Sequence, residues 1–314
     1  MTKDQHKTSA NIRGIGFLVL GLLIISLQNI AVKGIGGSYP VLEIVILRSL
    51  VALPCTLLLF RFEGQRGWPA TQRHKLQVLR GVFLFLAYTT YFMGLAALPL
   101  ADVAAIRFSS PLVITVFSVV LLGEKVGPRR WLALVIGFIG VLFIVRPGSA
   151  TFNLGSIFVL TATLFYSLSV MVTRKLRTTE SSATMAYYSS LVYLVAAFIL
   201  APLAIVVGEI PGAHPSVAFL FRAWAMPTPL DWIIMSGLGL VWASGMYFMA
   251  RGYSLALASV AAPFEYVSLP INIMWGLVIW QEIPTWTTWA GAVLTLSSGL
   301  YNLYRERRER LTRL

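Results

Sequence analysis

Ten stretches of about 20 mostly apolar residues follow one another along the chain, cut by short charged or Pro- and Gly-rich breaks. A helix of that length matches the hydrocarbon core of a bilayer. The pattern therefore predicts ten spans, beginning near Gly14, Val41, Leu76, Leu100, Trp131, Phe152, Ala183, Leu230, Leu255 and Trp286. The break at Pro99 and Asp102 is the weakest, and the longest connection, from about Gly208 to Pro229, is Pro-rich and leaves no room for a soluble domain. Composition points the same way. Of 314 residues 57% are hydrophobic and 12% charged, whereas a water-soluble surface takes about 25% charged residues. Disorder fails on the same grounds. Barrel strands would alternate polar and apolar residues, and these runs do not, so the expected class is an all-α integral membrane bundle. The run from Gly14 to Lys33 has basic residues before it but no Ala-x-Ala-like site after it, and reads as helix 1 rather than a signal peptide. Cys55 is the single cysteine, so no disulfide and no Cys-based metal site is expected within one chain.

The formal net charge of +13 suggests an acidic partner until the charges are sorted by side. With the N-terminus inside, alternate connections place 20 of the 25 Lys and Arg residues on the inner side, Arg80 among them. Lys33, Arg146 and Arg222 fall outside, and Arg48 and Arg107 fall within spans. The excess thus reads as a topological signal for a cell (inner) membrane protein with both termini cytoplasmic, and as an attraction to anionic lipid.

A gap-free shift of 158 residues brings Gly94 onto Gly252, Ala104 onto Ala262, Ser110 onto Ser268, Val120 onto Val278, Glu124 onto Glu282 and Trp131 onto Trp289. Five spans per half is an odd number, so the second half enters the membrane inverted. The expected fold is ten transmembrane helices in two inverted five-helix repeats, 1–148 and 149–314, the second ending in a basic cytoplasmic tail. Inverted repeats around a midplane site belong to carriers that work by alternating access.

These features resemble the drug/metabolite transporter superfamily, EamA-domain branch. The resemblance is carried by Pro40-Val41-Leu42-Glu43-Ile44-Val45-Ile46-Leu47-Arg48 and by the block from Ala101-Asp102-Val103-Ala104 through Pro111-Leu112-Val113 to Leu122-Gly123-Glu124-Lys125. The second half repeats it from Ala261-Ala262-Pro263 to Trp280-Gln281-Glu282. It implies a transporter, and it is not specific for substrate, since such families move amino acids, nucleotide-sugar-like compounds, vitamins and amines. Arg107 and Glu265 depart from the family by placing charges where many relatives carry uncharged residues.

An ionisable group at mid-bilayer costs about 2.5 to 3.5 kcal/mol on insertion scales, so those present usually face a cavity or a partner. The candidates are Glu43, Arg48, Arg107 and Glu265. Five residues rotate Glu43 about 140° around the helix from Arg48, so Arg48 needs another partner, a ligand, or a route to the interface. Arg107 and Glu265 are related by the 158-residue shift. Either they neutralise each other and lock the halves, or they line one cavity, Arg107 taking a carboxylate or phosphate and Glu265 an amine or a proton. Glu43 and Glu265 are the candidate proton-coupling residues. Pro111, Pro263 and Pro270 are expected to free carbonyls near the middle of helices 4 and 9.

Tyr88, Tyr91, Tyr187, Trp242 and Tyr266, with the amides Gln28, Asn29 and Asn272, complete the candidate lining, against the alternatives of core packing, interfacial belt and helix-to-helix bonding. His6, His74 and His214 lie in tails or loops without metal spacing, and no Gly-rich phosphate loop precedes a Lys-Ser or Lys-Thr. We therefore expect no metal, no cofactor and no catalytic residue. The expected function is a secondary, non-ATP transporter of a small polar organic metabolite: an amino acid or amine, an S-adenosylmethionine-like or a riboflavin-like compound. The alternative is an integral-membrane enzyme or scaffold without transport. The expected partners are the small-molecule substrate and the lipid bilayer, with a homodimer as an allowed assembly and no nucleic acid.

Overall fold

The computed structural model describes residues 3–107, 109–123, 127–145, 153–256, 261–294, 297 and 301. Regular structure among them is helical throughout: α1 (Lys3–Ile35), α2 (Val41–Phe62), α3 (His74–Leu95), α4 (Leu100–Arg107), α5 (Ser110–Leu122), α6 (Pro128–Val145), α7 (Leu154–Leu176), α8 (Ser182–Val207), α9 (Pro215–Phe221) and α10 (Pro229–Leu255). A 3-10 turn (Ala262–Val267) then runs into α11 (Ser268–Trp280), and α12 covers 286–294. Among the described residues seven segments are long and apolar enough to cross a membrane: Ile12–Ile35 of α1, α2, α3, α4 with α5, α7, α8 and α10.

Helix ends follow local chemistry. Asn153 caps α7 by accepting from the Gly155 amide at 2.9 Å, Ser181 caps α8 through the Thr184 amide, and Thr228 caps α10 ahead of Pro229. α5 and α11 both end on a left-handed residue, Gly123 (φ 66°) and Gln281 (φ 55°), and both begin at a serine 158 residues apart. Prolines do not kink these two helices in mid-course. Pro111 sits in the first turn of α5 and Pro270 in the first turn of α11, so each break is a stop followed by a fresh start.

Apolar side chains cover the outward faces, as in α8, where Val206 is 83% exposed, which suits contact with lipid tails. The two most extensive helix pairings are α3 with α7 and α1 with α10. Both use glycine for close approach. A Cβ at Gly94 would strike the Val159 side chain, and one at Gly252 would lie 2.9 Å from the Gly14 carbonyl. Gly94 and Gly252 are again 158 residues apart.

Three expectations are corrected here. Arg80, counted among inner-side charges, lies in the second turn of α3 and is 2% exposed, because α3 begins at His74 and packs this end against α7 and α8. The ninth segment does not begin at Leu255. α10 continues through Leu255 and the next described helical residues begin at 261, since an uninterrupted apolar run carries no mark of where one helix stops. The 208–229 connection is not all loop: Pro215 opens the short helix α9, whose Phe219 is buried. Glu124, Arg146 and the basic C-terminal tail lie outside the described residues.

Candidate functional site

Two arginines mark the centre of the bundle. Arg48 projects from the start of the third turn of α2 and is fully buried. Its guanidinium carbon lies 4.3 Å from the Trp242 ring centroid (α10), 5.2 Å from Tyr193 (α8) and 5.6 Å from Phe92 (α3). Aromatic faces attract a cation, and in a desolvated setting each such contact contributes up to about 2 kcal/mol. Among the described residues Arg48 makes one hydrogen bond, from Nη1 to the Gln28 Oε1 of α1, at 2.9 Å. Gln28 thus supplies the partner that Glu43 does not. Glu43 is itself buried, and its Oε2 has no hydrogen-bond partner among the described residues.

Arg107 ends α4, where the negative end of the helix dipole favours a cation. Its guanidinium carbon lies over three tyrosines, 4.7 Å from the Tyr166 centroid, 5.1 Å from Tyr91 and 5.7 Å from Tyr88. Tyr166, on α7, donates its hydroxyl to Glu265 Oε1 at 2.6 Å, and Tyr253 of α10 donates to the same oxygen. Glu265 sits in the 3-10 turn and is 5% exposed. Arg107 and Glu265 form no direct ion pair among the described residues; Tyr166 stands between them, ring against the cation and hydroxyl on the carboxylate. Both charges occupy breaks between helices, the geometry in which membrane helices expose backbone and side chains to a binding site.

Tyr88 joins the two centres. Its ring meets Trp242 edge to face at 4.8 Å and Tyr91 at 6.5 Å, and Trp242 meets Tyr193 at 4.6 Å. An aromatic strip therefore runs from the Arg48 face to the Arg107 face. Asn29 donates to Asn272 Oδ1 at 3.0 Å, tying α1 to α11 beside it. Of the expected lining, Gln28, Arg48, Tyr88, Tyr91, Trp242, Arg107 and Glu265 are brought together, and Asn29 and Asn272 form a pair with each other. Tyr187 is placed elsewhere, against Tyr188 in the second turn of α8, near His74. The Tyr266 side chain lies outside what is described.

Sequence reasoning passed over Tyr166, Tyr253, Tyr193 and Phe92. Two signals were available. Tyr253 follows Trp242 by eleven residues, about three helical turns, and so shares its face. Tyr166 lies on the buried polar stripe of α7 with Thr163 and Thr173.

At the end of the bundle where α1, α3 and α11 finish, a cavity of about 440 Å³ is lined by Lys33, Phe92, Phe219, Arg222, Trp280 and Glu282 among others. Lys33 pairs with Glu282 and lies 5.0 Å from the Trp280 centroid, while Glu282 also accepts from the Leu100 amide at 2.8 Å. Phe92 belongs to both regions, lining this cavity and lying against Arg48. At the opposite end, Arg251 pairs with Glu63 at 3.1 Å and Thr71 donates to Glu180 at 2.7 Å.

A bundle of apolar helices with a buried, charged and aromatic centre at two helix breaks defines a multi-pass membrane protein of the transporter class. The chain belongs to the EamA-like transporter family, whose model matches residues 12–146, and it is a small-molecule transporter. It is 30% identical over 232 residues to a riboflavin transporter of Rhizobium johnstonii, covering 74% of this chain and 71% of that protein. It is 26% identical over 309 residues to an S-adenosylmethionine uptake transporter of Rickettsia prowazekii, covering 97% and 96% of the two chains. A crystal structure 17% identical in sequence shares the fold, with a TM-score of 0.67 over 96% of this chain and 97% of that one.

Proposed function

We propose that this chain is a secondary transporter of a small polar organic metabolite, working by alternating access around the Arg107–Tyr166–Glu265 centre. The observation that carries the reading is the placement of opposite charges at two helix breaks, linked through one tyrosine in the interior. Glu265 takes a substrate amine or a proton, Arg107 balances it or takes an acidic group, and Tyr88, Tyr91 and Trp242 offer faces on which a flat ring stacks. Glu43, buried with an unbonded oxygen, is the second proton-coupling residue.

The architecture we propose is ten spans in two inverted units, 1–148 and 149–314, in the inner membrane with both termini cytoplasmic. Three observations support it. α5 and α11 share their length, first residue type and left-handed cap at positions 158 apart. Gly94 and Gly252 make matched close contacts. The cavity beside Lys33 and Glu282 gathers one end of the bundle, which becomes the outer side under the charge distribution. On this reading the Lys33–Glu282 pair closes part of the outer end, and the Arg251–Glu63 pair part of the inner end.

The ring-bearing members of the expected substrate range are S-adenosylmethionine-like and riboflavin-like compounds, and amino acids or amines remain within it. The test is uptake into proteoliposomes of radiolabelled S-adenosylmethionine, riboflavin and a mixture of amino acids. We expect saturable flux for one of them, accelerated by unlabelled substrate on the opposite side, and lost in Glu265→Gln and Arg107→Ala while both variants remain folded. Unchanged flux in both variants would overturn the site, and flux that never saturates would overturn the carrier mechanism.

A further inference from the structure

On the transporter reading, the atoms left unbonded around Arg48 bear on the class of substrate. Around Arg48 the structure places hydrogen-bond donors in excess of acceptors. Among the described residues Nε and Nη2 of Arg48 find no hydrogen-bond partner, and neither does Nε2 of Gln28 nor Nε1 of Trp242; all four atoms are buried. The orientation of the Gln28 amide follows from its partner. A guanidinium donates and cannot accept, so the amide oxygen must face Arg48, which leaves the amide nitrogen as a further free donor.

The two free nitrogens of Arg48 are neighbours on one edge of the guanidinium. That edge makes the side-on pair with a carboxylate, two parallel N–H···O bonds in one plane. The surroundings are flat as well, with the Trp242, Tyr193 and Phe92 rings all within 5.6 Å of the guanidinium carbon. Among the described residues no carboxylate pairs with Arg48, and Glu43, on the same helix, points about 140° away. A buried cation whose nearby acceptors are both neutral, the Gln28 oxygen and the Tyr193 hydroxyl, is a costly arrangement in a membrane interior, and a substrate anion is the group that removes the penalty.

We propose that the Nε and Nη2 edge of Arg48 is a carboxylate subsite, and that the transported compound is an organic carboxylate with a flat ring system. The carboxylate docks side-on against Arg48 between the rings. The body of the molecule lies along Trp242 and Tyr88 toward Arg107 and Glu265, where a second polar group is held. Planarity favours a carboxylate over a tetrahedral phosphate against a flat guanidinium edge. Phe92 separates this subsite from the cavity beside Lys33, so entry from that end passes its ring.

The test uses the full chain purified in detergent, with thermal melting as readout and three carboxylates of increasing size as probes: benzoate, L-phenylalanine and L-tryptophan, each paired with its carboxamide. At least one carboxylate is expected to raise the melting temperature, with its carboxamide at least about tenfold weaker. Arg48→Lys keeps the charge and loses the edge, and is expected to weaken that binding about tenfold. Arg107→Gln is expected to weaken acid and amide alike, because it loosens the hold on the second polar group, and to leave the ratio between them as in the parent. The proposal is overturned if none of the three acids stabilises the protein, if acids and amides act alike, if Arg48→Lys binds as the parent does, or if the preference disappears in Arg107→Gln. The wild-type and Arg107→Gln measurements decide the matter even if Arg48→Lys fails to fold. Flux is a separate readout: carboxylate binding without transport removes the transporter mechanism and leaves the subsite, whereas saturable transport without carboxylate preference removes only the subsite.

Discussion

Arg48 and Arg80 are both arginines buried inside the bundle, and they are finished differently. Arg80 donates from Nε to the Thr173 hydroxyl at 2.7 Å, and from Nη1 to the Met185 carbonyl at 2.8 Å and the Ser189 hydroxyl at 2.5 Å, joining α3 to α7 and α8. Among the described residues Arg48 has one geometric hydrogen bond, to Gln28, the Tyr193 hydroxyl near by and three aromatic faces. Burial alone therefore does not distinguish a structural cation from a binding one. Saturation does: an arginine whose neighbours use its donors holds helices together, and one whose donors are left over is prepared for a ligand.

The strongest way to break this comparison is Arg80→Lys. A lysine keeps the charge but cannot reach three acceptors on two helices in the same geometry, so stability should fall by about 3 kcal/mol. A melting temperature equal to the parent's would show that Arg80 is not a clamp. Next in size is Glu265→Gln, which preserves the shape beneath Tyr166 and Tyr253 and removes the charge. Flux in proteoliposomes should drop roughly thirtyfold, about 2 kcal/mol, with little change in melting.

Arg48→Lys should show the reverse of Arg80→Lys: stability within about 1 kcal/mol of the parent and an approximately tenfold loss of carboxylate affinity. A large loss of stability with affinity intact would place Arg48 with Arg80 as a structural residue. Tyr166→Phe keeps the ring under Arg107 and deletes one of two hydroxyl donors to Glu265, so flux should fall severalfold, about 1 kcal/mol. An unaltered rate would remove the tyrosine link from the mechanism. The smallest effect is expected at the partly exposed end of the bundle, where Lys33→Met breaks the pair with Glu282. Because those side chains are 14% and 22% exposed, the loss should be about 0.5 kcal/mol and should shrink as salt is added. A salt-independent loss of several kcal/mol would show the pair to be a core element.

Much of the helix order was legible because apolar length is a one-dimensional property. Val41 and Leu100 begin α2 and α4 as expected, and α7, α8 and α10 begin within two residues of their predicted starts. The misplaced start of the ninth segment has a plain cause. Where the apolar run from α10 into the 3-10 turn is unbroken, nothing local says which residue ends a helix. Among site residues, charges within spans were conspicuous on energetic grounds, which made Arg48, Arg107 and Glu265 visible. Tyr166 and Tyr253 were not, since a membrane chain holds many tyrosines for other reasons and their role depends on converging with Glu265 from α7 and α10. Tyr187 looked equivalent in sequence to Tyr88, and its position near the beginning of α8 places it beside Tyr188 instead.

Sequence by itself determined that this chain lives in a bilayer and which few ionisable groups stand inside its apolar runs, because transfer of charge into hydrocarbon is penalised residue by residue, whatever the fold. Only the tertiary structure decided what each of those charges meets. Arg80 passed from an inner-side charge to a buried clamp, Arg48 found Gln28 rather than Glu43, and Arg107 met Glu265 through Tyr166 rather than directly. Hydrogen bonds and aromatic contacts act over a few ångströms between helices far apart in the chain. Their partners are consequently set by packing, which the order of residues along one helix does not contain.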